Sequence, residues 1–400
     1  MLATGAFRSS KVDERLQKPN PQGGRLFAKS RVVVGFPQHR ALKLPCAVRA
    51  MRQLRQVILL GALISATAAL GQKVSSGGSS PGDVLYARPA KLVSVNGFRL
   101  NLSCLGNGSP TVVFDSGFLD WAPAWSTVQP RIAKWTRACS YDRAGAGFSD
   151  PGPLPRTSVR IAEELRSALQ RAGIEGPYIL VGHAFGGDNV RTFADLHMGE
   201  VAGMVLVDAD ATDLEPKWMQ ELDRRGRAEL VSQLHDCRDA IAEHKPLPAF
   251  GSGPADSQKT CAQQLFFRGL PEIEWSSELN ASLLEIAQTK VAMYDAYASE
   301  MEQMAQDEAY LQRHRRSFGS RPIRVLTSGN HGVPAEAPDR ANYEQEITHA
   351  QARWLALSSN SKQIFAHSNS EYIQFDDPEA VITAIREVYD QSKRPPATPD

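Results

Sequence analysis

Several functional classes leave marks that this 400-residue sequence does not carry. It has no GxxxxGK[ST] phosphate loop and no Gly-rich dinucleotide fingerprint, so phosphate-cradling chemistry and nicotinamide or flavin cofactors are not expected. Its five cysteines include no CxxC pair, and no His/Cys cluster has ligand spacing, which argues against a zinc site. No cofactor of any kind is therefore expected. The one long apolar run, starting at Val57, is about fifteen residues, short of the roughly 20 that span a bilayer, so no stable membrane anchor is expected.

Charge is scarce only in the sum. The formal net charge is +1, but residues 1–72 hold twelve Lys/Arg against Asp13 and Glu14, which leaves the rest of the chain near −9. An acidic main body disfavours nucleic acid as a partner. With 42% hydrophobic and 22% charged residues, the chain can bury a sizeable core and reads as globular.

The basic surplus has a recognisable layout. "MRQLRQVILLGALISATAALGQ" places Arg52 and Arg55 before the apolar run and small residues after it, the order of a secretory signal. This predicts a signal peptide over 51–72, translation starting at Met51, and export to a periplasmic or extracellular space. Residues 1–50 then form a non-native or disordered leader, and 73–83, with "VSSGGSSPGD", a flexible linker. Of the cysteines beyond the leader, Cys104, Cys139, Cys237 and Cys261, an even number allows three disulfide connectivities. Cys237 with Cys261 is the preferred pair and Cys104 with Cys139 a second candidate; four buried free thiols is the other reading.

From Lys91 the pattern becomes regular. "KLVSVNGFRLNLSCLG" alternates about Asn96-Gly97, the strongest short hairpin signal. "TVVFDSG", "RACSYDRAG", "YILVGH", "GMVLVD" and "IRVLTSG" are short β-rich runs ending in Gly or Asp, the character of buried parallel strands. Helical stretches lie between them: "SVRIAEELRSALQRAG" aligns Ile161, Leu165, Leu169 and Ala172 before Gly173. Near the end, Asp377 caps a helix with Pro378 at its first position and Val381, Ile382, Ile385 and Val388 as the buried stripe. Alternating strands and helices predict an α/β fold with a mostly parallel twisted sheet.

Between Asp210 and Arg321 the strand rhythm gives way to helical segments, "KWMQELDRRGRAELVSQL" and "ASLLEIAQTKVAMYDAYASEMEQMAQ". This predicts core segments at 84–210 and 321–392, a helical lid at 211–320 and a disordered tail at 393–400. The lid's Met219, Met293, Tyr294, Tyr297, Met301 and Met304 are read mainly as helical core, with pocket lining as the alternative.

"YILVGHAFGGDNV" is the stretch on which the chemistry turns. An apolar strand runs into Gly-His-Ala-Phe-Gly-Gly and then a helix, and small residues on both sides of position 184 permit the sharp bend that lifts a central side chain to the end of a sheet. The central residue is Ala184, whose methyl group has no lone pair.

The order of elements around this turn resembles the α/β-hydrolase superfamily, in its single-domain esterase and haloalkane-dehalogenase-like branch with a helical lid. The resemblance covers about residues 84–392 and rests also on "DSGFLDWAPAW", "SYDRAGAGFSDPGP" and "HSNSEYIQFDDPEAV". It implies that Ala184 holds the nucleophile position and that the backbone N–H groups of Phe118 and Phe185 form the oxyanion hole. It implies Asp208 as the triad acid, with Asp210 as a near alternative, because "SGNHGVP" after the next strand has no carboxylate. The family's C-terminal pattern, with Asp five and Pro seven residues after its histidine, counts back from Asp376 and Pro378 to Glu371. The chain thus departs from the family at both nucleophile and base.

Other rescuers are weak candidates. His367 is expected as a partly buried histidine on the strand "QIFAHS", His183 as a packing residue of the elbow, and Ser116 lacks an adjacent base. Triad members act as a unit, so loss of serine or histidine alone costs on the order of 10⁶ in kcat and leaves about 10³–10⁴ over water. Three readings follow: a serine-hydrolase frame for a small-molecule carboxylic ester or amide, without its reactive pair; a non-catalytic ligand-binding protein; or a non-hydrolytic activity using Glu371 as general base.

Overall fold

The computed structural model describes residues 83–211, 217–250, 259–263, 275–331 and 339–393. The expected leader, the signal at 51–72 and nearly all of the linker and tail lie outside the described residues.

β1 (Lys91–Val95) and β2 (Phe98–Leu105) form the expected antiparallel hairpin, with Asn96 and Gly97 both at positive φ, 48° and 99°, as a two-residue turn of this kind requires. β3 (Thr111–Asp115), β4 (Ala138–Tyr141), β5 (Tyr178–His183), β6 (Val201–Val207), β9 (Ile323–Thr327) and β10 (Ser361–Phe365) complete an eight-stranded sheet. Its order is β1-β2-β4-β3-β5-β6-β9-β10, parallel from β4 onward. β7 (Ala249–Phe250) and β8 (Lys259–Thr260) make a separate two-residue ladder.

Strand alternation builds two apolar layers. Leu180 and Leu206 point to the face covered by α1 (Ser158–Arg171) and α2 (Phe185–Leu196), where Leu165, Leu169, Val190 and Phe193 meet them. Ile179, Val181, Val205 and Val207 point the other way, onto α7 (Pro378–Ser392) and its Val381, Ile385 and Val388. Asp377 caps α7 by accepting from the Ala380 N–H, and Thr157 caps α1 by accepting from the Arg160 N–H. Ile382 is only half-buried, and Ala384 takes its place in the stripe.

Between β6 and β9 stand α3 (Lys217–Ala242), α4 (Ser277–Thr289) and α5 (Val291–Arg313); α6 (Arg340–Ala352) lies between β9 and β10. The single helical run read from Ala281 to Gln306 is two helices, broken at Lys290. The Lys290 ammonium leaves the helix surface to reach the carbonyl oxygens of Gly147 and Ser149, each at 2.6 Å. Met293, Tyr294 and Tyr297 are buried among the helices, and Met301 and Met304 pack with Phe185, as core residues do. The Met219 side chain lies outside the described residues. The preferred disulfide is present, and so is the second candidate: Cys237–Cys261 ties α3 to the segment after β8, and Cys104–Cys139 joins facing residues of β2 and β4.

Candidate active site

The turn at residue 184 is where strand meets helix under constraint. Ala184 has φ 45° and ψ −122°, a conformation that L-residues avoid. Neighbouring backbone holds it there: Ala184 N donates to Val207 O (3.2 Å), and Asp210 N (3.1 Å) and Gly187 N (2.8 Å) both donate to Ala184 O. A Cβ on Gly182 would lie 2.5 Å from Gly186 O, and one on Gly186 would lie 2.4 Å from Asp115 O, so only glycine fits at either place. From Tyr178 to Asp195 every residue is buried except Ala184. The bend therefore presents this one side chain outward.

The groups around the elbow come from the carboxyl ends of the parallel strands, where open α/β sheets place their ligands. His183 is buried; its Nε2 lies 3.2 Å from Glu371 O, an acceptor only, so Nε2 carries the proton. Burial lowers its pKa to about 4, which keeps the ring neutral. This contact sets the 371 loop directly against the residue before Ala184. Glu371 itself is half-buried.

Asp208, at the end of β6, also has positive φ (40°) and is buried. Its carboxylate accepts from Ser328 N (3.1 Å), Gln351 Nε2 (3.0 Å) and His331 Nδ1 (3.1 Å). Asp210 contributes its backbone N–H to the elbow instead. His331 is a residue that the sequence reading missed. It follows β9 with its side chain only 4% exposed, its N–H bound to Glu344 Oε2 (2.9 Å) and its Nε2 3.3 Å from Thr348 Oγ1. Burial opposes its charge, but the hydrogen bond and charge of Asp208, with Glu344 and Glu371 nearby, outweigh that and raise its pKa. The histidine of "SGNHGVP" was the available signal, yet its partner lies 123 residues away.

His367 is not on a strand: β10 ends at Phe365, and His367 is exposed, its N–H bound to Asp377 Oδ2 at 3.1 Å. Ser116 is buried, donating to Trp121 O (3.0 Å) and accepting from Trp125 Nε1 (3.1 Å), so its hydroxyl proton is held by a backbone carbonyl and not by a base. Phe118 is half-buried beside the elbow, its ring edge-on to Tyr297 at 5.7 Å. Phe185 opens α2, whose cap residue offers no side-chain acceptor. An open groove of about 470 Å³ lies elsewhere, on the β2 side near Cys104 and Arg137, and holds none of these groups. Among the described residues no group of three or more His, Cys, Asp or Glu could hold a metal, and no helix is long and apolar enough to cross a membrane.

With this geometry in place, comparison with known proteins defines the class. The family model for the alpha/beta hydrolase fold matches residues 110–376, and the chain belongs to that family. It is 38% identical over 117 residues to an uncharacterized protein of Schizosaccharomyces pombe, covering 29% of this chain and 22% of that protein. It is 25% identical over 284 residues to the uncharacterized protein YqjL of Bacillus subtilis, covering 71% of this chain and 85% of that protein. The chain spans well under half the length of the first two curated relatives it matches. A thermophilic esterase from Thermogutta terrifontis superposes with a TM-score of 0.53 at 19% identity, over 77% of this chain and all of that one, a likeness of fold alone.

Proposed function

We propose that this chain is a serine-hydrolase frame for a small-molecule carboxylic ester or amide, and that without nucleophile and base it does not turn esters over at a useful rate. The observation that carries this reading is the elbow at Ala184. Its strained backbone, its two obligatory glycines and its outward-facing position remain, while the side chain it presents is a methyl group. Strain of this kind costs about 1–3 kcal/mol and persists where the surroundings enforce it for a function.

The environment of Asp208 supports the same reading. In a working triad the acid orients the base and stabilises its cation. Here that carboxylate is engaged by His331, whose Nε2 faces Thr348 Oγ1, while the loop expected to bring the base offers Glu371. Both oxyanion donors are backbone groups and do not depend on residue 184. The two disulfides are compatible with the proposed export to an oxidising compartment.

The test is to install Ala184→Ser together with Glu371→His and assay short-chain p-nitrophenyl esters. Hydrolysis well above that of the unmodified protein supports the reading. A folded double variant without hydrolysis, while the unmodified chain still binds ester-like ligands saturably, would instead favour a pure binding protein.

A further inference from the structure

The candidate oxyanion loop, Ser116 to Phe118, is held from beneath by one buried cation. Arg143 follows β4, and its side chain is 2% exposed. All five of its N–H groups are used. Nη1 donates to Asp115 Oδ1 (3.0 Å) and Ser116 O (2.7 Å), and Nη2 donates to Gly117 O (2.9 Å). Nε and Nη2 donate to the two oxygens of Glu300, at 2.7 and 3.1 Å. Asp115 is fixed in turn by Tyr141 Oη at 2.6 Å, and the guanidinium lies over the Phe185 ring, 5.4 Å from its centre.

The peptide bond decides what this clamp does. The Gly117–Phe118 bond is trans, and in a planar trans peptide the C=O and the following N–H point in opposite directions. A Gly117 carbonyl turned onto Arg143 therefore sends the Phe118 N–H away from the guanidinium. Glu300 lies 157 residues from Arg143, on α5 in the helical lid region. One turn earlier on that helix Tyr297 packs against the Phe118 ring. The same helix thus grips the loop at its side chain and, through Arg143, at its backbone.

We propose that Arg143 and Glu300 are positioning residues through which α5 fixes the direction of the Phe118 N–H. The proposal rests on the reading of Phe118 as an oxyanion donor. A lysine at 143 has three donors on one point and cannot hold Glu300 and two successive carbonyls as a planar fork does. Glutamine at 300 keeps the shape and one acceptor but loses the charge-assisted pair, and aspartate keeps the charge but is one methylene too short to match both nitrogens.

The experiment is amide NMR on the full chain labelled with ¹⁵N-phenylalanine, the Phe118 resonance being assigned by Phe118→Leu. Arg143→Lys, Glu300→Gln and Glu300→Asp are each expected to move the Phe118 amide while that of the remote Phe365 stays in place, with Glu300→Asp moving it least. In the Ala184→Ser, Glu371→His background, Glu300→Gln is expected to lower kcat about tenfold with KM within about twofold, the signature of weakened oxyanion stabilisation. An unmoved Phe118 amide in folded Glu300 variants overturns the proposal, whatever Arg143→Lys does to folding. The amide readout needs no turnover. A moved amide in a chain whose double variant is inactive would count against the hydrolase reading alone, and an unmoved amide with an active double variant against the clamp alone.

Discussion

His331 Nδ1 and Asp208 Oδ2 stand 3.1 Å apart, joining the ends of two adjacent parallel strands, β9 and β6. The imidazole faces Asp208 and Thr348 through its nitrogens, and Glu344 and Glu371 add negative charge around it. Because its pKa is raised in the folded chain above the ordinary 6.5, the folded state binds the proton more tightly than the unfolded state does. The resulting stabilisation is fully present below 6.5 and is lost as pH rises through the raised value. Urea unfolding of the unmodified protein and of His331→Asn across this range should therefore show a stability difference that shrinks with rising pH. A difference that stays flat would remove the imidazolium from the account.

His183 should behave with the opposite sign. Its ring is buried and neutral, with a folded pKa near 4 against an ordinary 6.5, so its contribution is present above 6.5 and is lost as pH falls toward 4. The shift corresponds to roughly 3 kcal/mol at full protonation. Ring-carbon NMR titration of His183 should show no protonation at pH 5.5, and a midpoint near 6.5 would contradict the burial argument.

Backbone strain at the elbow is measurable without any substrate. Ala184→Gly removes the Cβ penalty at φ 45° and ψ −122° and adds the unfolded-state entropy of glycine, about 0.5–1 kcal/mol. Since strain of about 1–3 kcal/mol is the larger effect, the variant should be as stable as the unmodified chain or more stable by about 1 kcal/mol. A clear loss of stability would show that the turn is relaxed.

Gly186→Ala should go the other way. The new methyl carbon would meet two backbone oxygens, Asp115 O at 2.4 Å and Ser116 O at 2.7 Å, and neither can rotate away as a side chain could. A loss of about 3 kcal/mol or more is expected in urea unfolding, at the upper end of overpacking effects. Gly199→Ala, with nothing near its added Cβ, is the control and should change stability little.

How much of this was legible in the sequence follows the range of the interactions involved. The Asn96-Gly97 hairpin, the Asp377-Pro378 helix start and the elbow glycines are local rules, and each appears where it was read. The parallel strands were visible because burial on both faces leaves unbroken apolar runs. The end of β10 was not: "QIFAHS" continues the composition of a strand, but the ladder to β9 stops at Phe365 paired with Thr327, and His367 is left outside. His331 and Glu300 escaped for a different reason. Each is a single polar residue without periodicity, whose meaning comes from a partner more than a hundred residues away.

The central claim, a nucleophile elbow without its reactive serine and histidine, is tested most directly by fluorophosphonate labelling of three proteins: the unmodified chain, Ala184→Ser, and Ala184→Ser with Glu371→His. The account predicts no adduct on the unmodified chain, little on the single variant because His331 is held between Asp208 and Thr348, and one stoichiometric adduct at residue 184 in the double variant. A folded double variant that takes no label, or an unmodified chain that does, would contradict it.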